Sequence, residues 1–189
     1  MRLVFGVLLS LFMAGTSFGQ NPLSILGRVV TTSMDARSKA EVTADAEISG
    51  GASKRLLEDK KAEWAGVSVL VFAQHVVLAG AVKSAEVKKR VEDIVRQDKR
   101  IRSFKNELLV GDVGSLARDT ALEAEINASL TAAKGISSVN MRWSATGAQV
   151  VLMGVAGSRQ EAELAASRIR SIKGVKSLKS HLRLVQKKN

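Results

Sequence analysis

Val76-Val77-Leu78-Ala79-Gly80 is written twice in this chain, since Val150-Val151-Leu152-Met153-Gly154 repeats it 74 residues later. The register runs on in both directions without a gap. Ser84 falls on Ser158, Ile101 on Val175, Ser103 on Ser177, Phe104 on Leu178 and Leu108 on Leu182. Upstream, Asp45 falls on Asp119, Ile48 on Leu122 and Leu56 on Leu130. Self-similarity at a fixed spacing outranks local signals. The body of the protein is two copies of one small domain, and its function has to come from what two such copies can do.

Each copy reads as helix, strand, strand, helix, strand. In the first, residues 41–110, a helix is expected from Asp45 to Asp59 with Ile48, Ala52 and Leu56 on one face. A hairpin of Val67–Phe72 and Val76–Val82 follows. Ser84 caps the next helix, whose Val87, Val91, Ile94 and Val95 recur at helical spacing, and Ile101–Val110 is the closing strand. In the second copy, residues 115–185, Asp119 is read as the cap of a helix carrying Leu122, Ile126 and Leu130, ended by Lys134-Gly135. The hairpin turns at Thr146-Gly147. Ser158-Arg159-Gln160-Glu161 reads as a capping box, and Lys173-Gly174 stops that helix before the last strand. Residues 111–114 link the copies, and residues 186–189 form a basic tail.

The expected fold is therefore α+β: two tandem αββαβ domains, each a three-stranded mixed sheet with both helices on one face. The crossover through the second helix makes the last strand parallel to the middle one. Hairpin strands carry apolar residues on both faces, as in Val69 and Leu70. The far face of each sheet is thus expected to be covered, most simply by the other copy, although the pattern serves equally for cover from another chain.

Met1-Arg2, an apolar run from Leu3 to Gly15 and Ser17-Phe18-Gly19 have the layout of a secretory signal peptide, cleaved after Gly19. The run falls short of the ~20 residues that span a bilayer, so the reading is export to the periplasm. Residues 20–40 are read as a flexible tether in which Leu23, Leu26 and Val30 could share a face.

Composition narrows the chemistry. The chain has 29 Lys+Arg against 18 Asp+Glu, a formal charge of +11, and no cysteine. Disulfides, thiolate metal sites, a cysteine nucleophile and a cysteine-borne lipid are excluded. His75 and His181 have no ligand-spaced partners, no serine sits in a nucleophile elbow, and no glycine-rich loop cradles phosphate. No enzyme activity, metal or cofactor is expected. The basic balance points to anionic partners or to plain solubility. Glu41–Val110 carries 13 basic against 11 acidic residues, whereas Ser115–Asn189 carries 12 against 5. The excess sits on the second copy.

The pattern V-x-L-x-G, then a capped helix, then G-V-x-S-[LV] before a closing strand resembles the BON domain of bacterial envelope proteins. Val76–Gly80 with Ser84, and Val150–Gly154 with Ser158 and Gly174-Val175-Lys176-Ser177-Leu178, carry the resemblance. It covers Glu41 to Val185. In the first copy Lys99-Arg100-Ile101 stands where the pattern has glycine-valine. A signal peptide with two tandem copies is similar to the periplasmic dual-BON proteins of the OsmY and DolP type. The resemblance implies the αββαβ fold, a role in envelope and outer-membrane integrity or osmotic stress, and in some members anionic phospholipid binding through the second domain. DolP-type members carry a lipid, for which this chain has no cysteine. They also place an aromatic beside the aspartate that begins the second domain's first helix, where this chain has Arg118-Asp119-Thr120-Ala121-Leu122.

The resemblance thus makes Arg118, Thr120, Ala121 and Leu122 candidate lipid contacts. Lys179, His181 and Arg183 join them, because they alternate along the last strand and share one face. A solvated basic edge that blocks strand-to-strand aggregation is the preferred reading of those three. Gly80, Gly154, Gly174, Ser84, Ser158 and Asp119 are read as structural, and Trp64 and Trp143 as packing residues. The preferred function is non-catalytic: binding the anionic phospholipid surface or an envelope protein. The alternative is a soluble stress protein that shields misfolded clients. A nucleic-acid role would need a G-x-x-G loop between helices, which is missing.

Overall fold

The computed structural model describes residues 35–61, 64–113 and 115–185. The expected signal peptide, most of the expected tether and the basic tail lie outside the described residues. The first copy runs α1 (Lys39–Glu58), β1 (Val67–Phe72), β2 (His75–Val82), α2 (Ala85–Val95), β3 (Ser103–Asn106) and β4 (Leu109–Val110). The second runs α3 (Leu116–Ala132), β5 (Met141–Thr146), β6 (Gln149–Ala156), α4 (Arg159–Ser171) and β7 (Ser177–Leu184). In each copy the hairpin is antiparallel and the last strand lies parallel to the middle one.

Both copies bury one sheet face under their two helices. Ile48, Leu56, Val69, Leu78 and Val91 centre the first core. Ile126, Leu130, Met141, Leu152 and Ile169 centre the second. The other faces meet each other: Leu70, Phe72, Val77 and Ala79 pack against Val151, Met153 and Val155. The protein is a four-layer stack of helices, sheet, sheet and helices, with the two sheets inside. Phe72 is fully buried there, a contribution of about 2–3 kcal/mol.

Glu107 and His181 occupy equivalent positions in the two copies, 74 residues apart, and their side chains bond each other at 2.9 Å. Equivalent residues meet at a rotation axis, and the contacts are reciprocal, β1 with β6 and β2 with β5, so the axis is close to two-fold and the copies pair through the same surface, as in an isologous dimer.

Five expectations change in detail. The helix expected from Asp45 starts at Lys39, because Ser38 and Glu41 form a full capping box: Ser38 Oγ accepts from Glu41 N and Glu41 Oε2 accepts from Ser38 N. The flexible tether expected as far as Ala40 therefore ends earlier. Arg37 Nε and Nη2 bind the Asp35 carboxylate, and Ala36 N donates to Asn140 Oδ1 across the domain seam.

The strand expected over 101–110 breaks at Glu107-Leu108. Asn106 Oδ1 accepts from Leu108 N, and the bulge turns Leu108 into the first core. The capping box expected at Ser158 is half formed. Ser158 Oγ accepts from Glu161 N, but the Glu161 carboxylate accepts from Ser137 N and Gly157 N, tying the α3–β5 loop to α4. Asp119, expected as a cap, lies inside α3, which begins after Ser115.

Candidate functional site

Asp119 and its counterpart Asp45 do the same different job: each reaches from its helix to the hairpin turn of its own sheet. Asp45 Oδ2 and Oδ1 accept from Ala73 N and Gln74 N at 2.7 and 2.6 Å. Asp119 Oδ2 accepts from Gly147 N at 3.2 Å. These turns need left-handed backbone, with φ of 49° and 62° at Ala73 and Gln74 and of 57° and 69° at Gly147 and Ala148. Their amides point inward and need an acceptor. Sequence reading missed this because a helix-entry aspartate is more often a cap. The signal that could have exposed it was the box Ser38-Lys39-Ala40-Glu41, which already supplies the start of α1.

The structural residues fall out as follows. Ser84 caps α2 by accepting from Val87 N at 3.3 Å, and Gly174 takes φ +103° in the turn before β7. Gly80 and Gly154, at φ +115° and +127°, lie against the backbone of Gly66 and Asn140. Trp64 and Trp143 pack partly buried on the first and second cores.

The seven candidate lipid contacts separate. Leu122 is buried in the second core. Arg118, Thr120 and Ala121 are exposed on the first turns of α3. Leu178 and Leu182 pack into the helix side of the sheet, so Lys179, His181 and Arg183 project on the side that meets the first copy. Lys179 remains exposed, whereas His181 is held by Glu107.

Arg183 belongs to a charged seam. Burial lowers its pKa first, then Arg102, against the opposite pull of Asp45 and Glu41. His75 on the same seam is bonded through Nδ1 to Ser103 Oγ. Burial, followed by Arg183 and Arg102, lowers its pKa below 6.5, with Asp45 opposing. A histidine held neutral in the fold takes up its proton more readily when unfolded. Its contribution is complete above pH 6.5 and is lost as pH falls through the depressed value. We expect the melting temperature to fall between pH 7.5 and 5.5, and His75→Gln to flatten that slope. The carboxylates whose pKa values are lowered act in a separate window. Asp98, held down chiefly by its Arg100 hydrogen bond, matters below its ordinary 3.8.

Two surfaces remain as sites. The first is the end of the second copy where Asp119 meets the β5–β6 turn and Lys176 N donates to Ala148 O at 2.9 Å. It collects Arg118 from α3, Arg170 from the last turn of α4, and Lys173 and Lys176 from the loop before β7. All four are exposed, and none pairs with a carboxylate among the described residues. In the first copy, by contrast, Arg37, Arg55, Arg90, Arg96, Arg100 and Arg102 each stand beside an acidic partner.

The second is a cleft of about 1120 Å³ between the copies, walled by the Trp64–Ser68 segment, the end of β2, the linker, α3 and the end of β5. Among the described residues no His/Cys/Asp/Glu cluster could hold a metal, and no helix is long and apolar enough to cross a membrane.

The BON-domain model matches residues 44–112 and 118–186. An uncharacterized protein in the gshII 5′ region of Anaplasma centrale is 31% identical over 129 residues, which cover 66% of this chain and 85% of that protein. Among solved structures, the C-terminal domain of CdsD, the structural protein of the type III secretion system of Chlamydia trachomatis, aligns at 15% identity and a TM-score of 0.32 over 69% of this chain. A second CdsD structure aligns at 16% and 0.32 over 71%. The chain spans 62% and 61% of those solved chains, and likeness at that level carries no functional argument. Two matches, one at each structural copy, decide the family: this chain is a tandem BON-domain protein, a member of a generally non-catalytic family associated with membrane or phospholipid binding.

Proposed function

We propose that this is a periplasmic, non-catalytic envelope-maintenance protein that docks on anionic phospholipid through its second BON domain. The observation that supports this reading is the charge contrast between the copies. The first pairs each of its described arginines with a carboxylate, whereas the second presents Arg118, Arg170, Lys173 and Lys176 without one around one end. Each such cation near an anionic membrane contributes ~1 kcal/mol, and nothing inside the domain competes for it. The docking end differs from the Lys179–Arg183 face, because His181 is engaged with Glu107 and the exposed Arg183 lies near Asp45 and Glu41, whose charges oppose an anionic surface.

Co-sedimentation with liposomes tests it. Binding is expected to require phosphatidylglycerol and to weaken between low and moderate salt, because exposed charges are screened beyond about 10 Å at 0.1 M. The double reversal Lys173→Glu/Lys176→Glu should weaken binding about thirtyfold or more, from at least ~1 kcal/mol per site. Absence of binding at either salt would sink the proposal and leave shielding of misfolded clients, or a protein partner in the envelope, as the reading to pursue.

A further inference from the structure

The two-fold relation between the copies makes the empty cleft comparable, residue by residue, with a filled place on the other side of the molecule. There the guanidinium of Arg37 is enclosed. Its Nη1 bonds Asp45 Oδ2 at 2.9 Å, and its Cζ stands 4.5 Å from the centroid of the Phe72 ring. Arg142 approaches the same ring at 5.4 Å from across the seam.

Shifting each position by the repeat turns this set into the cleft. Arg37 becomes Gly111, Asp45 becomes Asp119, Phe72 becomes Thr146, and Arg142 corresponds to Ser68. All four line the cleft. Three bulky groups are replaced by Gly, Thr and Ser, which is the physical origin of the empty volume. Helix α3 also starts at Leu116, which matches Val42, so it lacks the first turn that α1 has from Lys39. What stays is the carboxylate. Asp119 Oδ2 holds Gly147 N as Asp45 holds its turn, but the arginine that completes Asp45 has no counterpart. Asp112 and Glu123 add negative charge, against Lys83, on a wall otherwise built by Trp64, Val67, Val82, Val113 and Leu116. In a chain of net charge +11 this is an acidic, apolar recess.

We propose that the cleft is a docking site for an arginine side chain of a partner polypeptide, flanked by apolar residues, with its guanidinium on Asp119. Arg37 on Asp45 is the built-in precedent. A carboxylate with a free acceptor edge matches a planar fork of donors, and Trp64 offers the cleft an aromatic surface in place of Phe72. This inference does not rest on the membrane reading: the cleft adjoins the cationic end at Asp119 but is lined by the opposite charge.

The test uses residues 20–189, which hold every described residue, labelled for NMR and titrated with the blocked peptide acetyl-Ala-Leu-Arg-Leu-Ala-amide. Saturable shifts are expected at the Trp64 indole N–H and at the amides of Asp112, Thr120 and Thr146, with Arg37 and Ala73 unmoved. A citrulline peptide should bind at least tenfold more weakly, and so should Asp119→Asn, which can still accept from Gly147 N. Thr146→Phe rebuilds the filled geometry and should block binding by occupancy, a check that does not depend on Asp119. Absence of saturable shifts, or equal binding of the citrulline peptide, overturns the proposal. So does a gain in peptide affinity on Arg28→Gln, which would assign the cleft to the chain's own preceding segment.

Discussion

Gly154→Ala is expected to destabilise the second domain by about 3–4 kcal/mol, at the upper end for single substitutions. Two penalties combine. At φ +127° an alanine backbone is strained whatever the space, a cost of roughly 1–2 kcal/mol. A Cβ would also fall on the Asn140 carbonyl oxygen, far inside the 3.0 Å that real Cβ atoms keep, with Met141 Cα beside it. The obstacle is backbone of the neighbouring strand, so relief means parting β5 from β6. Gly80→Ala should do the same in the first domain, where the Cβ would meet the Gly66 carbonyl oxygen at φ +115°. Gly50→Ala is the control. It is helical and has nothing within 4 Å of an added Cβ, so it should stabilise by about 0.5–1 kcal/mol. Urea unfolding of the three variants checks this, and equal midpoints for Gly154→Ala and the unchanged protein would refute the account.

Asp45→Ala should cost about 2–4 kcal/mol, because it leaves two inward-pointing amides without an acceptor and removes one of the two carboxylates that hold Arg37. The Arg37 side chain is 6% exposed and would keep Asp35 as its ion-pair partner. The amides of Ala73 and Gln74 would lose their acceptor while still committed to left-handed backbone. Their hydrogen exchange should rise well above that of neighbouring β1 and β2 amides. Asp119→Ala removes one 3.2 Å bond beside a glycine and no ion pair, so about 1 kcal/mol is expected. Similar losses at the two aspartates would show that the Arg37 contact contributes little.

That inequality between matched residues explains how far the site could be read in the chain. Local signals were enough for the hairpins, the Ser84 cap, the glycine stop at Gly174 and the αββαβ order set by apolar spacing. Roles set by contacts distant in sequence were not legible. Leu122 is no such case: it enters the lipid-contact set only through the resemblance, and its helical spacing with Ile126 and Leu130 already turns it toward the core. Lys179, His181 and Arg183 do share a face, but the pattern of β7 contains no sign that this face looks onto Glu107 and Arg102.

The 74-residue repeat, written in the sequence, determined by itself that there are two domains of one fold, because apolar periodicity, turn glycines and helix caps act over a few residues and recur in step. Tertiary structure alone decided what differs between the copies. It set the sheets face to face about the Glu107–His181 pair, and filled one of two equivalent recesses with Arg37 while leaving the other open beside Asp119. The reason is geometric. Each recess is bounded by elements of both copies, so whether it is full depends on residues as distant as Arg37 and Arg142, which only packing brings together.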